Sequence, residues 1–443
     1  MRIFDRLFSA KAAAGAQPEI SFGRYSDAYK SPERYAAWDQ ALVLFEKQEY
    51  LESYKQFFYY LRDDAEDNVR WEETRGGLKF ELYQGSKKIT GMASPLKVRA
   101  EARVVKAPDL KVGFMRRLME QNYNLHFSRF ALDDDGNITI VFDTYTLDGS
   151  PYKLYHALKE LATKADKQDD LLLEEFKMLQ PVDTSHLRPL TPAEKEAKYQ
   201  FICQEIGAAL DEVEHGTLDS TQYAGSFAYL LLALIYKLDY LIKPEGFMME
   251  TLELLHRKYY ENDNQPTVYK NQALCKGLRQ LLERDKESSF QEMYRVKSTF
   301  GITNSIAHEY IAGLIDGELP KMDWYQERGY AVLALAIPHY IVGHCLFNFA
   351  VPLPDRQLFH LYYQVTEADY FRQLGFQTDY YDPAHERFDP RGIKRAIGMI
   401  REEAADSYPG FEPDTKLLNF DSLPDFARSF LLMVRNLDLA KTD

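Results

Sequence analysis

The chain has 443 residues, is 45% apolar and 14% aromatic, and carries a net charge of −14. That length exceeds one ordinary core, so two or three domains are expected. The acidic balance, with no basic cluster beyond pairs such as Lys87-Lys88 and Arg116-Arg117, argues against nucleic acid as a partner.

Residues 1–30 read as a flexible N-terminal tail. Phe4, Leu7 and Phe8 give it an amphipathic start, and Asp5, Arg6 and Lys11 interrupt any signal-peptide run. Ser31-Pro32 is a helix start, a capping residue followed by Pro in the first turn. Apolar residues then recur at three- and four-residue spacing through Ala41, Leu44, Phe45, Tyr50, Tyr54, Phe57, Phe58 and Leu61. The segment looks like half of a tetratricopeptide unit, but no second copy follows 34 residues on. A helix pair is expected, then an acidic loop over 63–73.

Five strands are expected between Gly77 and Thr146. Leu78, Phe80 and Leu82 alternate with charges, and Gln84-Gly85-Ser86 is a turn into a second strand near 88–92. The third, from Leu96 onward, alternates apolar residues with Lys97, Arg99, Glu101 and Arg103, the two-residue period of a half-buried strand. A helix starting at Pro108-Asp109 places Leu110, Phe114, Met115, Leu118 and Met119 on one face. The fourth strand runs from Leu125 to Leu132, with a phase shift between Phe127 and Phe130 that suggests a bulge. Asp135-Gly136 marks the hairpin into a fifth strand through Ile138, Ile140 and Phe142. A long helix follows over 152–178.

The fold class expected is therefore α+β: an antiparallel five-stranded sheet with flanking helices, followed by a mostly α-helical domain. The order resembles the type III secretion chaperone-like fold, and within it the YbjN family. The resemblance rests on Ala102-Arg-Val-Val, Phe114-Met-Arg-Arg-Leu118, Gln121-Asn122, Phe127-Ser-Arg-Phe130-Ala-Leu132 and Gly136-Asn137-Ile138, and covers about residues 45–180. It implies a protein that binds other polypeptides or regulates them without enzymatic activity, commonly as a homodimer.

The domains expected are the tail 1–30, the α+β domain 31–180, a Pro-rich linker 181–191 and an all-α domain 192–443. Thr191-Pro192-Ala193-Glu194 has a capping-box layout, as does Ser289-Phe-Gln-Glu292. Gly375 ends a helix, and Ser422-Leu-Pro-Asp425 opens the last one. The stretch 329–354 contains no Asp, Glu, Lys or Arg, but holds Pro338, His339, His344 and Asn348. A buried, broken helix pair is expected there, not a membrane span.

No nucleotide cradle, nucleophile elbow or zinc-protease helix occurs, and the four positions after His308 end at Ala312. No cofactor or metal is called for. His339 and His344 stand about 140° apart on an ideal helix, poor geometry for chelation. Cys203, Cys275 and Cys345 are odd in number and far apart, which suits a reducing cytoplasm. The reading that follows is a cytoplasmic, non-enzymatic binding protein with a polypeptide partner. The alternative is a hydrolase-like enzyme with a pocket built around His308, Glu309, His339 or His344 in the helical domain.

Overall fold

The computed structural model describes residues 18–108 and 112–440, apart from the side chain of Glu174. The Phe4/Leu7/Phe8 face, and Asp109 and Leu110 of the expected helix start, lie outside the described residues.

Helices α1 (Pro32–Glu46) and α2 (Tyr50–Leu61) form a pair, with Gln48 at φ +63° turning the chain between them. Tyr54, Phe57, Phe58 and Leu61 of α2 are buried, as their spacing predicts. The sheet that follows is antiparallel and larger than expected. It comprises β1 (Val69–Thr74), β2 (Gly77–Gln84), β3 (Lys87–Ala93), β4 (Lys97–Lys106), β5 (Arg129–Leu132), β6 (Asn137–Tyr145) and β7 (Gln180–Pro181). Their spatial order is β1-β2-β3-β4-β6-β5, with β7 added to the end of β4.

Two strand expectations are corrected. β1 lies in the stretch read as an acidic loop. Its Arg70, Glu72 and Glu73 are exposed while Val69 is buried, the composition of a charged edge strand. β5 begins at Arg129, not Leu125. The backbone amides of His126, Phe127 and Ser128 instead wrap the Glu160 carboxylate at 2.8–2.9 Å. The phase shift read as a bulge is thus the strand's start, and the register break falls in β4 between Arg103 and Val105.

Val98, Ala100, Ala102 and Val104 of β4 are buried, while Lys97 and Arg99 are exposed. The outward side is solvated and self-paired, through Lys97–Asp143, Arg99–Glu101 and Arg103–Asp133. Helix α4 (Pro151–Glu175) covers the inward side. Its Leu154, Leu158, Leu161, Ala165 and Leu172 share one core with Phe80, Ile89, Ile140 and Phe142. α3 (Val112–Asn122) packs beside β5.

The second half is helical: α5 (Pro192–His215), α6 (Ala224–Ile242), α7 (Gly246–Tyr260), α8 (Thr267–Glu283), α9 (His308–Glu318), α10 (Ala331–Asn348), α11 (Leu353–Thr366), α12 (Pro390–Ala404) and α13 (Leu423–Arg435). It has its own large core. Strands there are two-residue pairings. The Thr191 and Ser422 side chains accept amides of Glu194 and Asp425, as capping predicts. Ser289 starts no helix, because Asp285 already caps the short turn Lys286–Gln291 and the chain then extends at Tyr294-Arg295.

The expected break at Pro338 is absent. α10 continues through it and stops only at Phe349. Proline removes one helical hydrogen bond, and packing of most of the helix against its neighbours holds it in place. Gly343 sits where α10 meets α6, since a Cβ there would lie 2.7 Å from the Tyr236 Cβ. α6 and α10 are each long and apolar enough to cross a membrane, and 83% and 67% of their apolar windows are buried in the fold.

Residues 18–30 are not a loose tail. The Gly23 amide donates to the Tyr240 carbonyl at 2.8 Å, and Phe22 packs among Tyr240, His360 and Phe371. The Tyr155 hydroxyl of α4 donates to Asp27, so the same segment touches both halves. Residues 181–191 are also pinned. β7 pairs with β4, and Arg188-Pro189 pairs with Tyr294-Arg295. A loop from the helical half enters the sheet half, where the Thr299 and Phe300 amides donate to the Gln84 side-chain oxygen and Phe300 joins the core.

Candidate functional site

The four residues singled out in the helical half go to separate places. His308 is the first residue of α9, buried, with Nδ1 2.9 Å from the Asp355 carboxylate. Burial alone would lower its pKa, but the hydrogen bond and charge of Asp355 outweigh that and raise it. Glu309, next in the chain, is exposed. His339 packs edge-on to Tyr362, with Nε2 3.9 Å from Glu367. Burial and the Lys237 charge hold it neutral. His344 receives a contact from the Asn348 amide at 3.2 Å and lies among Tyr236, Tyr340 and Phe349. Burial brings its pKa down to about 4. Among the described residues no hydrogen bond or ring contact joins any two of these histidines.

Sequence spacing did not reveal the partners of these residues. Asp355 is 47 residues from His308. Lys237, buried on α6, is 3.0 Å from Glu367 and also pairs with Glu205. Burial, partly offset by Lys237, pushes the Glu367 carboxyl up to about 7. None of Lys237, His339 or Glu367 lines the principal cavities. Among the described residues no group of three or more His, Cys, Asp or Glu side chains is arranged to hold a metal ion.

A cavity of about 440 Å³ lies between residues 18–29, the loop at 63–66 and the helical core. Phe22, Phe349 and Phe376 supply apolar wall. Several of its polar groups are engaged: Arg356 donates to the Phe22 and Arg24 carbonyls, and Tyr240 meets His360 at 3.2 Å, whereas the buried Glu66 Oε2 has no hydrogen-bond partner among the described residues.

An exposed apolar surface lies on α3. The sequence pattern put Phe114, Met115, Leu118 and Met119 on one side, but the structure divides them. Phe114 and Leu118 are 2% and 4% exposed, turned to the core. Val112, Met119 and Tyr123 are 86%, 71% and 91% exposed, and Met115 joins them at 36%. Val112, Met115 and Met119 recur at intervals of three and four residues on α3, and Tyr123 follows just past its end, so they form one outward stripe. The residues that follow α3 add exposed apolar groups at Phe127 and at Leu132 on β5. A groove of about 550 Å³ runs beside the stripe between α3 and the end of α4, lined by Phe114, Arg116, Arg117, Glu120, Phe176 and Met178.

Strand addition at the sheet edges is disfavoured. On β5, only four residues long, the Phe130 amide is already spent on the Asn122 side-chain oxygen at 2.6 Å. The opposite edge, β1, carries exposed Arg70, Glu72 and Glu73. An incoming chain therefore meets side chains on α3 more readily than free backbone.

No family model matches the chain, and comparison with curated proteins finds no match.

Proposed function

We propose that this chain is a non-enzymatic, cytoplasmic binding protein that recognises an amphipathic segment of a polypeptide partner on the outer face of α3. The single observation behind this reading is the exposed stripe Val112, Met115, Met119 and Tyr123 beside a groove. Exposed contiguous apolar groups mark interaction surfaces. Methionine adapts its shape to varied partners, and tyrosine adds area with a polar tip. Arg116, Arg117 and Glu120 on the groove wall would set the polarity of the bound segment. Within this reading the sheet half is of the type III secretion chaperone-like, YbjN kind. Its helix pair, strand meander, middle helix, hairpin and long helix occur in that order. The three cysteines are free thiols, which fits a reducing compartment.

The test places a photo-crosslinking residue at Met119 in the full chain and another at Arg99 on the solvated sheet face. The expected result is one polypeptide crosslinked through position 119 in native extract, absent at position 99 and lost when Met115→Asp is added. Equal labelling at both positions, no adduct at 119, or an adduct only with a second copy of this chain would overturn the reading.

A further inference from the structure

The two halves meet along α4, and the contact is crowded with acids. Asp166, Asp169 and Asp170 are spaced to share one side of the helix. The Ser86 amide donates to Asp166 at 2.7 Å, and the Ser86 hydroxyl donates to Asp169 at 2.7 Å. A Cβ added at Gly85 would collide with the Asp166 carboxylate, so the β2–β3 turn lies directly on it. Lys87, 1% exposed, reaches Asp169 at 2.6 Å and the Val104 carbonyl at 3.0 Å.

In the helical half the same acids act on Glu245, buried just before α7, and on Tyr294. Glu292 lies against Gly246 and pairs with Arg284. Lys243 and Asp239, near the end of α6, are the other charges acting on Glu245. Outside this group, Lys167 of α4 pairs with Glu250 and Glu253 of α7, and Lys297 pairs with Asp67. Those outer pairs join the halves, whereas the inner carboxylates repel.

We propose that this seam is a proton-sensitive latch: like carboxylates of α4 and Glu245 face one another across the two halves, hold them closed while protonated, and loosen them on ionisation.

The proton balance follows from the surroundings. Burial, with the charge of Asp169, pushes Asp166 up to about 7. Burial raises Asp169 against the opposing pull of Lys87. Burial first, and neighbouring carboxylates next, raise Asp170 and Glu245 well above the usual range. A carboxyl raised in the closed form binds more protons there than when the seam is open. Its stabilisation of closure is therefore greatest below about 4, its ordinary value, and is lost as pH rises through about 7 for Asp166.

Hydrogen exchange on the full chain, corrected for the intrinsic pH dependence of exchange, reads this directly. From about pH 5.5 to 8.5, the opening constant of peptides covering 83–88, 164–171, 244–250 and 292–300 should rise about tenfold or more. Peptides from the two cores, such as 54–61 and 393–400, should change by less than about twofold. The double variant Asp170→Asn/Glu245→Gln should cut the seam's pH dependence by more than half, leaving the share carried by Asp166 and Asp169. A seam that opens no more than the cores, or whose dependence is not reduced in the double variant, would overturn the latch. If that variant does not fold, Asp170→Asn alone, at a half-buried position, must still reduce the ratio by about half, or the proposal fails.

Discussion

Arg24 grips the Asp239 carboxylate with two nitrogens, Nε at 2.9 Å and Nη2 at 2.7 Å, across 215 residues of chain. Its guanidinium also lies 4.0 Å over the Phe347 ring and 3.4 Å from Glu253. One side chain thus ties residues 18–30 to α6, α7 and α10. Arg24→Ala would leave Asp239 buried without its main counter-charge. The expected loss is about 3 kcal/mol in denaturant unfolding of the helical half. A loss below about 1 kcal/mol would show that residues 18–30 contribute little to holding the fold.

On α3, two apolar residues on opposite sides of the helix should behave oppositely. Phe114→Ala opens a cavity against Phe176, whose ring centroid is 5.1 Å away, and should cost about 3–4 kcal/mol. Met119→Ala removes an exposed side chain and should change stability by less than about 0.5 kcal/mol. Thermal unfolding of both variants checks the contrast. Similar costs would mean that the outer face is covered within the monomer.

The His308–Asp355 pair should give a pH signature. Asp355 outweighs burial and raises His308, so the imidazole stays charged to a higher pH than in the unfolded chain. Burial raises Asp355 too, with His308 opposing. For both groups the folded form binds its proton more tightly. The stabilisation from His308 is therefore complete below about 6.5, its ordinary value, and is lost as pH rises through the raised folded value. Asp355→Asn should flatten the stability profile above neutrality and lower stability at pH 6, measured by urea unfolding at several pH values. An unchanged slope would remove this pair from the account.

Gly343 makes a purely steric prediction. A methyl at this position would lie 2.7 Å from the Tyr236 Cβ and 3.3 Å from the Tyr363 hydroxyl. α6 and α10 would have to separate, at a cost of about 1–3 kcal/mol. Gly398→Ala, with nothing within 4 Å of its added Cβ, is the matched control and should not destabilise. Equal melting temperatures for the two variants would contradict the close approach.

Much of the fold was legible because its signals are local. Gly85 and Gly136 adopt the positive φ that their turns require, and Thr191 and Ser422 cap the helices that follow them. The alternation through β4 reports which side chains point inward, since a strand's period is two. β1 escaped because an edge strand with charges on one side and Trp71 half-buried on the other carries too little apolar signal. The two sides of α3 also escaped, since spacing shows that Phe114 and Met119 are apolar but not which neighbour covers each.

The chain alone therefore determined most of the elements, the inward side of β4, and the absence of the common catalytic motifs. The tertiary structure alone decided that Asp355 meets His308, that Arg24 meets Asp239, that Glu245 comes within electrostatic reach of the α4 acids, and that Met119 is exposed. The physical reason is range. Backbone geometry and side-chain periodicity act over a few residues, whereas burial and charge pairing depend on segments that packing brings together from hundreds of residues away.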